Sequence, residues 1–239
     1  MNHIQEFCRF AKNYDAVSLI QKEVAKELVN KITDAPQKIL DLGCGSGAIC
    51  RELLDDYELF VGVDNALAMC ELHPKSDHIM LIHNDFECED FFLHVKNYAP
   101  FDLIISASAL QWSKDLEKVL QRCKQLSSRI LFAIFSDGTF ASINQHAGLK
   151  SFLPSSDALT SLISRYFNVA VSIKKYKLFF EDNISKFRYI KRSGISGGVK
   201  RLSVAQTKDL IKNYPHEYLE FEVCFFTCKE NLSSSTILL

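Results

Sequence analysis

At 239 residues, 47% hydrophobic and 24% charged, the chain has the size and composition of one soluble globular domain with a sizeable core. Its formal net charge of -1 excludes the global basic field that recruits nucleic acid. The eight cysteines form no C-x-x-C pair and no zinc spacing, no apolar run reaches the length of a membrane span, and the start at Met1 is not a secretory leader, so the expectation is a reduced, cytoplasmic protein with free thiols.

Taken in chain order, Ala16 to Ile32 places Val17, Ile20, Val24, Leu28 and Ile32 three or four residues apart, which predicts an amphipathic helix. Lys38-Ile39-Leu40 reads as a strand, Ala48 to Leu54 as a helix, Glu58 to Asp64 as a second strand and Ala66 to Leu72 as a second helix of the same alternation. Ile79 to Ile82 and Phe101 to Ile105 are further strands, Leu116 to Leu126 is helical, and Arg129 to Phe135 is a fifth strand. Strands alternating with helices predict a mostly parallel sheet with helices on both faces. In the second half, helices are predicted over Phe140 to Leu149, from a Ser155 cap to about Tyr166, over Ile184 to Ser193 and over Ser203 to Asn213. The β-like run Val169 to Phe180 and the alternating Tyr218 to Cys228 bring the strands to seven, the last expected to pair antiparallel with Val169–Phe180.

Between the first strand and the helix after it lies Asp41-Leu42-Gly43-Cys44-Gly45-Ser46-Gly47. Glycines in a strand-to-helix turn let the backbone bend tightly and let a ligand approach the exposed amides. With Ala48 the run also satisfies G-x-G-x-x-A, so a dinucleotide is one reading. Asp41 argues against it, because a carboxylate there repels a pyrophosphate and attracts a ligand carrying an ammonium and a sulfonium. Asp64, followed by Asn65, ends the next strand where a ribose diol donates to such an acid, for either cofactor. Asp85 and Phe86 follow the third strand, suited to an adenine amino group and ring. The fourth strand runs into the small residues Ser106-Ala107-Ser108-Ala109, with Gln111 and the sole tryptophan, Trp112, at the sheet edge. The seven histidines show no triad or metal spacing, and no metal site is expected.

Together these residues resemble the class I S-adenosylmethionine-dependent methyltransferases, with Asp41 to Gly47 like their first motif, Asp64 their second and Asp85 their third. A narrower resemblance runs from about Phe7 to Glu230. Phe7-Cys8-Arg9-Phe10-Ala11-Lys12-Asn13-Tyr14-Asp15 is similar to the F-x-R-x-A-x-x-Y-[DE] opening of the biotin-pathway malonyl-acyl-carrier-protein O-methyltransferases. Ala109-Leu110-Gln111-Trp112 with Asp115-Leu116 resembles their A-x-Q-W-x-x-[DN]-L, Phe152-Leu153-Pro154 their FLP, and Ile190-Lys191-Arg192-Ser193-Gly194 their L-K-x-x-G stretch. Leu126-Ser127-Ser128 departs from the family's Pro-Gly-Gly, and Asp137 to Phe140 matches its turn only loosely.

The resemblance implies a Rossmann-like α/β fold over residues 1–230, with a seven-stranded sheet whose last strand is antiparallel. It adds an N-terminal cap helix (1–35) and substrate-cap insertions at about 137–213; the tail 231–239, polar and then apolar and without a family counterpart, is expected to fray. It implies S-adenosyl-L-methionine as cofactor, S-adenosyl-L-homocysteine as product, and methylation of the free carboxyl of a malonyl thioester on acyl carrier protein, early in biotin (pimeloyl) synthesis, with no nucleic acid or membrane partner. The cofactor would be held by Tyr14, Asp41, Gly43, Cys44, Gly45, Gly47, Asp64, Asn65, Asp85, Phe86 and Ser106, and the chemistry by Tyr14, Gln111, Trp112, Lys191 and Arg192. The acidic carrier would dock on the lysines and arginines of the second half. A small-molecule carboxyl or amine methyltransferase and a non-catalytic methyltransferase-fold binding module remain the alternatives.

Overall fold

The computed structural model describes residues 18–53, 56–192 and 202–228. The Phe7–Asp15 opening, with Tyr14, and the tail lie outside the described residues, as does the end of the Lys191 stretch from Ser193. Helix α1 (Leu19–Val29) leads to β1 (Lys38–Leu42), α2 (Ala48–Glu52), β2 (Leu59–Asp64), α3 (Leu67–Leu72), β3 (Ile79–His83), α4 (Glu89–Val95) and β4 (Leu103–Ala107). Then follow α5 (Leu116–Leu126), β5 (Ile130–Phe135), α6 (Ala141–His146), α7 (Ser156–Ser164), β6 (Val169–Phe179), α8 (Asn183–Arg192), α9 (Val204–Asn213) and β7 (Tyr218–Cys228). The seven strands form one sheet in the order β3-β2-β1-β4-β5-β7-β6. The β3-β2-β1-β4-β5 block is parallel throughout, and β7 runs antiparallel to both β5 and β6. The expected sheet, with its antiparallel last strand paired to the Val169 strand, is the one observed.

The pleat divides each central strand between two cores. Ile39, Phe60, Leu103, Ile105, Leu131 and Phe135 face α1, α2, α6, α8 and α9, together with alternate residues of β7 such as Phe221 and Phe225. Their neighbours Leu40, Val61, Ile104, Ile130, Phe132 and Ile134 face α4, α5 and α7. Burial on both faces explains why these strands read as continuous apolar runs. Edge strand β6 is largely exposed and carries Lys174, Lys175 and Lys177, charges that discourage pairing with another chain.

Local sequence sets the helix ends where it was read. Ser155 caps α7 by accepting from the Ala158 amide, Asp115 caps α5 through the Lys118 amide, and Ser203 with Gln206 closes a capping box on α9. Helix α4 has no counterpart among the predicted elements. Its Glu89 and Asp90 in the first turn and its buried Phe91, Phe92 and Val95 are the signal for it. Strand β4 lies two residues later than the Phe101–Ile105 reading, so the residues at its carboxyl edge are Ser106 and Ala107.

Candidate active site

Strand order reverses between β1 and β4, and a crevice opens at the carboxyl edge of these strands, as expected for an open parallel sheet. It encloses about 1130 Å³ including open solvent, and four groups of residues form its walls. The first is the glycine turn with Asp41. The second is Asp64 and Asn65 after β2, and the third Asp85, Phe86 and Glu87 after β3. The fourth is Ala107, Ser108, Ala109, Trp112 and Lys114 after β4. Helix α1 adds a wall from Ser18, Gln21, Lys22 and Ala25, spaced i, i+3, i+4, i+7 on one face, while Ile20, Val24 and Leu28 of the same helix enter the core.

The turn is shaped by close approach. Gly43 has φ +76°, and a Cβ there would fall 2.2 Å from Cβ of Ala109 on the β4 turn. Gly47, the N-cap of α2, has φ +92° and would meet Pro74 at 2.4 Å. Both positions demand glycine on space and on backbone conformation. The Gly43 and Cys44 amides both donate to Val63 O, and Gly45 N donates to Asp64 Oδ2 at 2.9 Å. The second Asp64 oxygen accepts from Ala66 N at 2.8 Å. Asp64 therefore ties the turn to β2 while it lines the crevice. Burial raises its pKa, opposed by these two amides.

Asp41 is different. It is fully buried, and neither carboxylate oxygen has a hydrogen-bond partner. Burial, and then the nearby Asp64 charge, push its pKa well above the carboxylate range. A buried acid without a partner is costly. On a crevice wall such an acid could accept a ligand cation or N–H donor. The hydroxyls of Ser18 and Ser108, on the same walls, are also buried without partners. Asp41 and Asp64 fit the ammonium-bearing, hydroxyl-bearing cofactor expected from the sequence. A pyrophosphate would meet three acids here, Asp41, Asp64 and Asp85.

Of the expected cofactor residues, Asp41, Gly43, Cys44, Gly45, Asp64, Asn65, Asp85 and Phe86 meet on the crevice wall. The Cys44 thiol turns away, packing against Gly62, where a Cβ would come within 2.9 Å of its sulfur. Ser106 is a correction: it is buried in β4 and its hydroxyl donates to Leu42 O at 2.6 Å, latching β4 to β1 away from the crevice wall. Gly47 acts behind the wall, through the turn. Among the expected catalytic residues, Trp112 lines the crevice and stacks on Phe152, with centroids 5.9 Å apart and planes 19° from parallel. Gln111 lies behind it, its Nε2 donating to Ser108 O at 2.6 Å.

Lys191 is exposed on α8 and absent from the crevice wall, whose lysines are instead Lys22 and Lys114. Sequence reasoning missed both. Lys22 could have been found from the 18-21-22-25 spacing, whereas Lys114 carries no local signal. It is positioned by Glu87, whose Oε1 accepts from Ser113 Oγ, Lys114 N and Asp115 N at 2.8–2.9 Å. The basic patch of the second half also thins. Lys186 is buried, bonded to Asn183 and His216 O, and Lys174 and Lys175 pair with Glu27 and Glu222. Arg188 and Lys191 remain exposed.

Comparison with known proteins agrees with this geometry. A methyltransferase-domain family model matches residues 39–128, which run from β1 to just past α5. A malonyl-[acyl-carrier protein] O-methyltransferase of Methylovorus sp. is 25% identical over 211 residues, covering 80% of this chain and 71% of that protein. One from Magnetococcus marinus is 30% identical over 146 residues, 54% of this chain, and the chain spans about half (51%) of its length. Among solved structures, the YcgJ protein of Bacillus subtilis shares the fold with a TM-score of 0.60 at 16% identity, over 87% of this chain and 98% of that one. Among the described residues no helix is long and apolar enough to cross a membrane, and no cluster of His, Cys, Asp and Glu could hold a metal ion. With its 3-2-1-4-5-7-6 sheet the chain has the Rossmann-like methyltransferase fold, and the methyltransferase-domain match over residues 39–128 implies S-adenosylmethionine as cofactor.

Proposed function

We propose that the protein methylates the free carboxyl of a malonyl thioester carried on acyl carrier protein, giving the methyl ester. The observation that carries the substrate class is the likeness, over 80% of the chain, to a protein named for that reaction. The Trp112–Phe152 stack beside the crevice supports it, as an apolar path for a thioester arm. The bound cofactor supplies an electrophilic methyl group on a sulfonium.

In this reading Asp41 takes the cofactor's ammonium, Asp64 the ribose hydroxyls, and Asp85 with Phe86 the adenine. The acceptor carboxyl, with an ordinary pKa near 4, is already ionised at neutral pH and needs no general base. What the protein contributes is placement in line with the methyl and exclusion of water. Trp112 and α1 wall off the crevice, and the family resemblance assigns Tyr14 to the cofactor. Lys22 and Lys114 lie along the crevice without a direct ion pair to the acceptor, and Arg188 and Lys191 on α8 offer the acidic carrier a docking surface.

The test measures methyl transfer to malonyl-carrier, acetyl-carrier and malonyl-coenzyme A. Ester formation on malonyl-carrier, none on acetyl-carrier and slower turnover of malonyl-coenzyme A are expected. Equal turnover of the two malonyl thioesters would point to a small-molecule enzyme. Charge reversal at Arg188 and Lys191 should weaken carrier binding, and unchanged affinity would remove the docking surface.

A further inference from the structure

The turn after β4 holds an unpartnered hydroxyl on the crevice wall. Ser108 has φ +62°, a region sparsely populated by any residue other than glycine. Its backbone is fully engaged: the amide donates to Ala133 O at 2.9 Å, and the carbonyl accepts from Gln111 Nε2. Its hydroxyl is buried, unpartnered and on the crevice wall, one turn before Trp112 and the Trp112–Phe152 stack. The chain thus holds a strained serine, with a spare donor, where the crevice meets the aromatic path to the surface.

We propose that Ser108 holds the methyl acceptor, its Oγ–H donating to the carboxylate oxygen that does not react. This rests on the carboxyl reading above. The chemistry favours such a donor. The crevice acids Asp41, Asp64 and Asp85 are acceptors when ionised and repel a carboxylate. A lysine ion pair would hold it but would draw electron density from the attacking oxygen. A neutral hydroxyl fixes one oxygen and leaves the other nucleophilic. The acid protons need not move, and Ser108 keeps its own proton throughout.

Two variants separate this role from a structural one. Ser108→Gly removes the left-handed strain and Ser108→Ala retains it, so they should differ in thermal stability, with the glycine variant the higher. Both lose the hydroxyl, and both should lose roughly 10- to 100-fold in kcat/KM on malonyl-carrier, the scale of a hydrogen bond to a charged group. Both should bind S-adenosylhomocysteine within twofold of the wild type. Activity that follows stability, with the glycine variant near wild type, would overturn the proposal. So would a parallel loss of S-adenosylhomocysteine affinity, which would make Ser108 a cofactor residue. A wild-type protein inert on malonyl-carrier would be seen before any substitution, and would instead bring down the carboxyl reading on which the proposal rests.

Discussion

Replacing Asp41 with asparagine should make the ligand-free protein more stable and the cofactor complex weaker. Asp41 is fully buried with both oxygens unpartnered. A buried charge left without its partner costs about 3–5 kcal/mol, and a neutral amide in the same place about 1–3 kcal/mol. The difference, about 2 kcal/mol, corresponds to about 4–8 °C in Tm for a chain of this size. The gain depends on pH. The folded pKa of Asp41 is raised, so its contribution to stability is fully present below the unfolded value near 4 and is lost as pH rises through the folded value. Asparagine does not titrate, so the advantage of Asp41→Asn should grow with rising pH across that window and shrink in acid. Cofactor binding shows the opposite sign. A ligand cation requires the ionised carboxylate, so wild-type affinity should fall as pH drops below the raised pKa, while the variant's should stay flat. At neutral pH and above, losing a charge-assisted hydrogen bond of about 1.5–3 kcal/mol should weaken S-adenosylhomocysteine binding roughly 10- to 150-fold. Thermal denaturation from pH 5 to 9 with isothermal titration at each pH checks both limbs. An Asp41→Asn protein that is less stable without ligand, or that binds S-adenosylhomocysteine as tightly as the wild type, would refute the reasoning.

Gly43→Ala forces a Cβ to within 2.2 Å of Ala109 at a positive φ, and should lower stability by about 1–3 kcal/mol and weaken cofactor binding. Adding Ala109→Gly vacates that space and should recover part of both losses, measured by Tm and titration; no recovery would mean the φ strain, not the contact, dominates. A double-mutant cycle on Trp112→Ala and Phe152→Ala should give a coupling of about 0.5–1.5 kcal/mol in stability, from the stacked rings. Ser203→Ala opens the capping box of α9 and should cost about 1 kcal/mol with no change in S-adenosylhomocysteine affinity, a control far from the crevice.

The sheet was legible because its strands are buried on both faces and punctuated by helices, a pattern that depends on neighbours along the chain. The glycine turn and the acids Asp41, Asp64 and Asp85 were legible for the same reason, since each sits at or just past the carboxyl end of a strand, and parallel pairing brings those ends to one edge. Tertiary structure decided what lies across the crevice. Ser106 and Ser108 are indistinguishable as sequence, two small polar residues in a run of four. The pleat buries the first against Leu42, and the left-handed turn brings the second to the wall. Lys191 resembles a family position, but α8 leaves it exposed away from the wall, while Lys22 and Lys114 arrive from elements far apart in the chain. The unpaired state of Asp41 is likewise a property of the folded packing. Its position in the turn followed from sequence order, but the lack of any partner within reach follows only from which groups the fold packs around it.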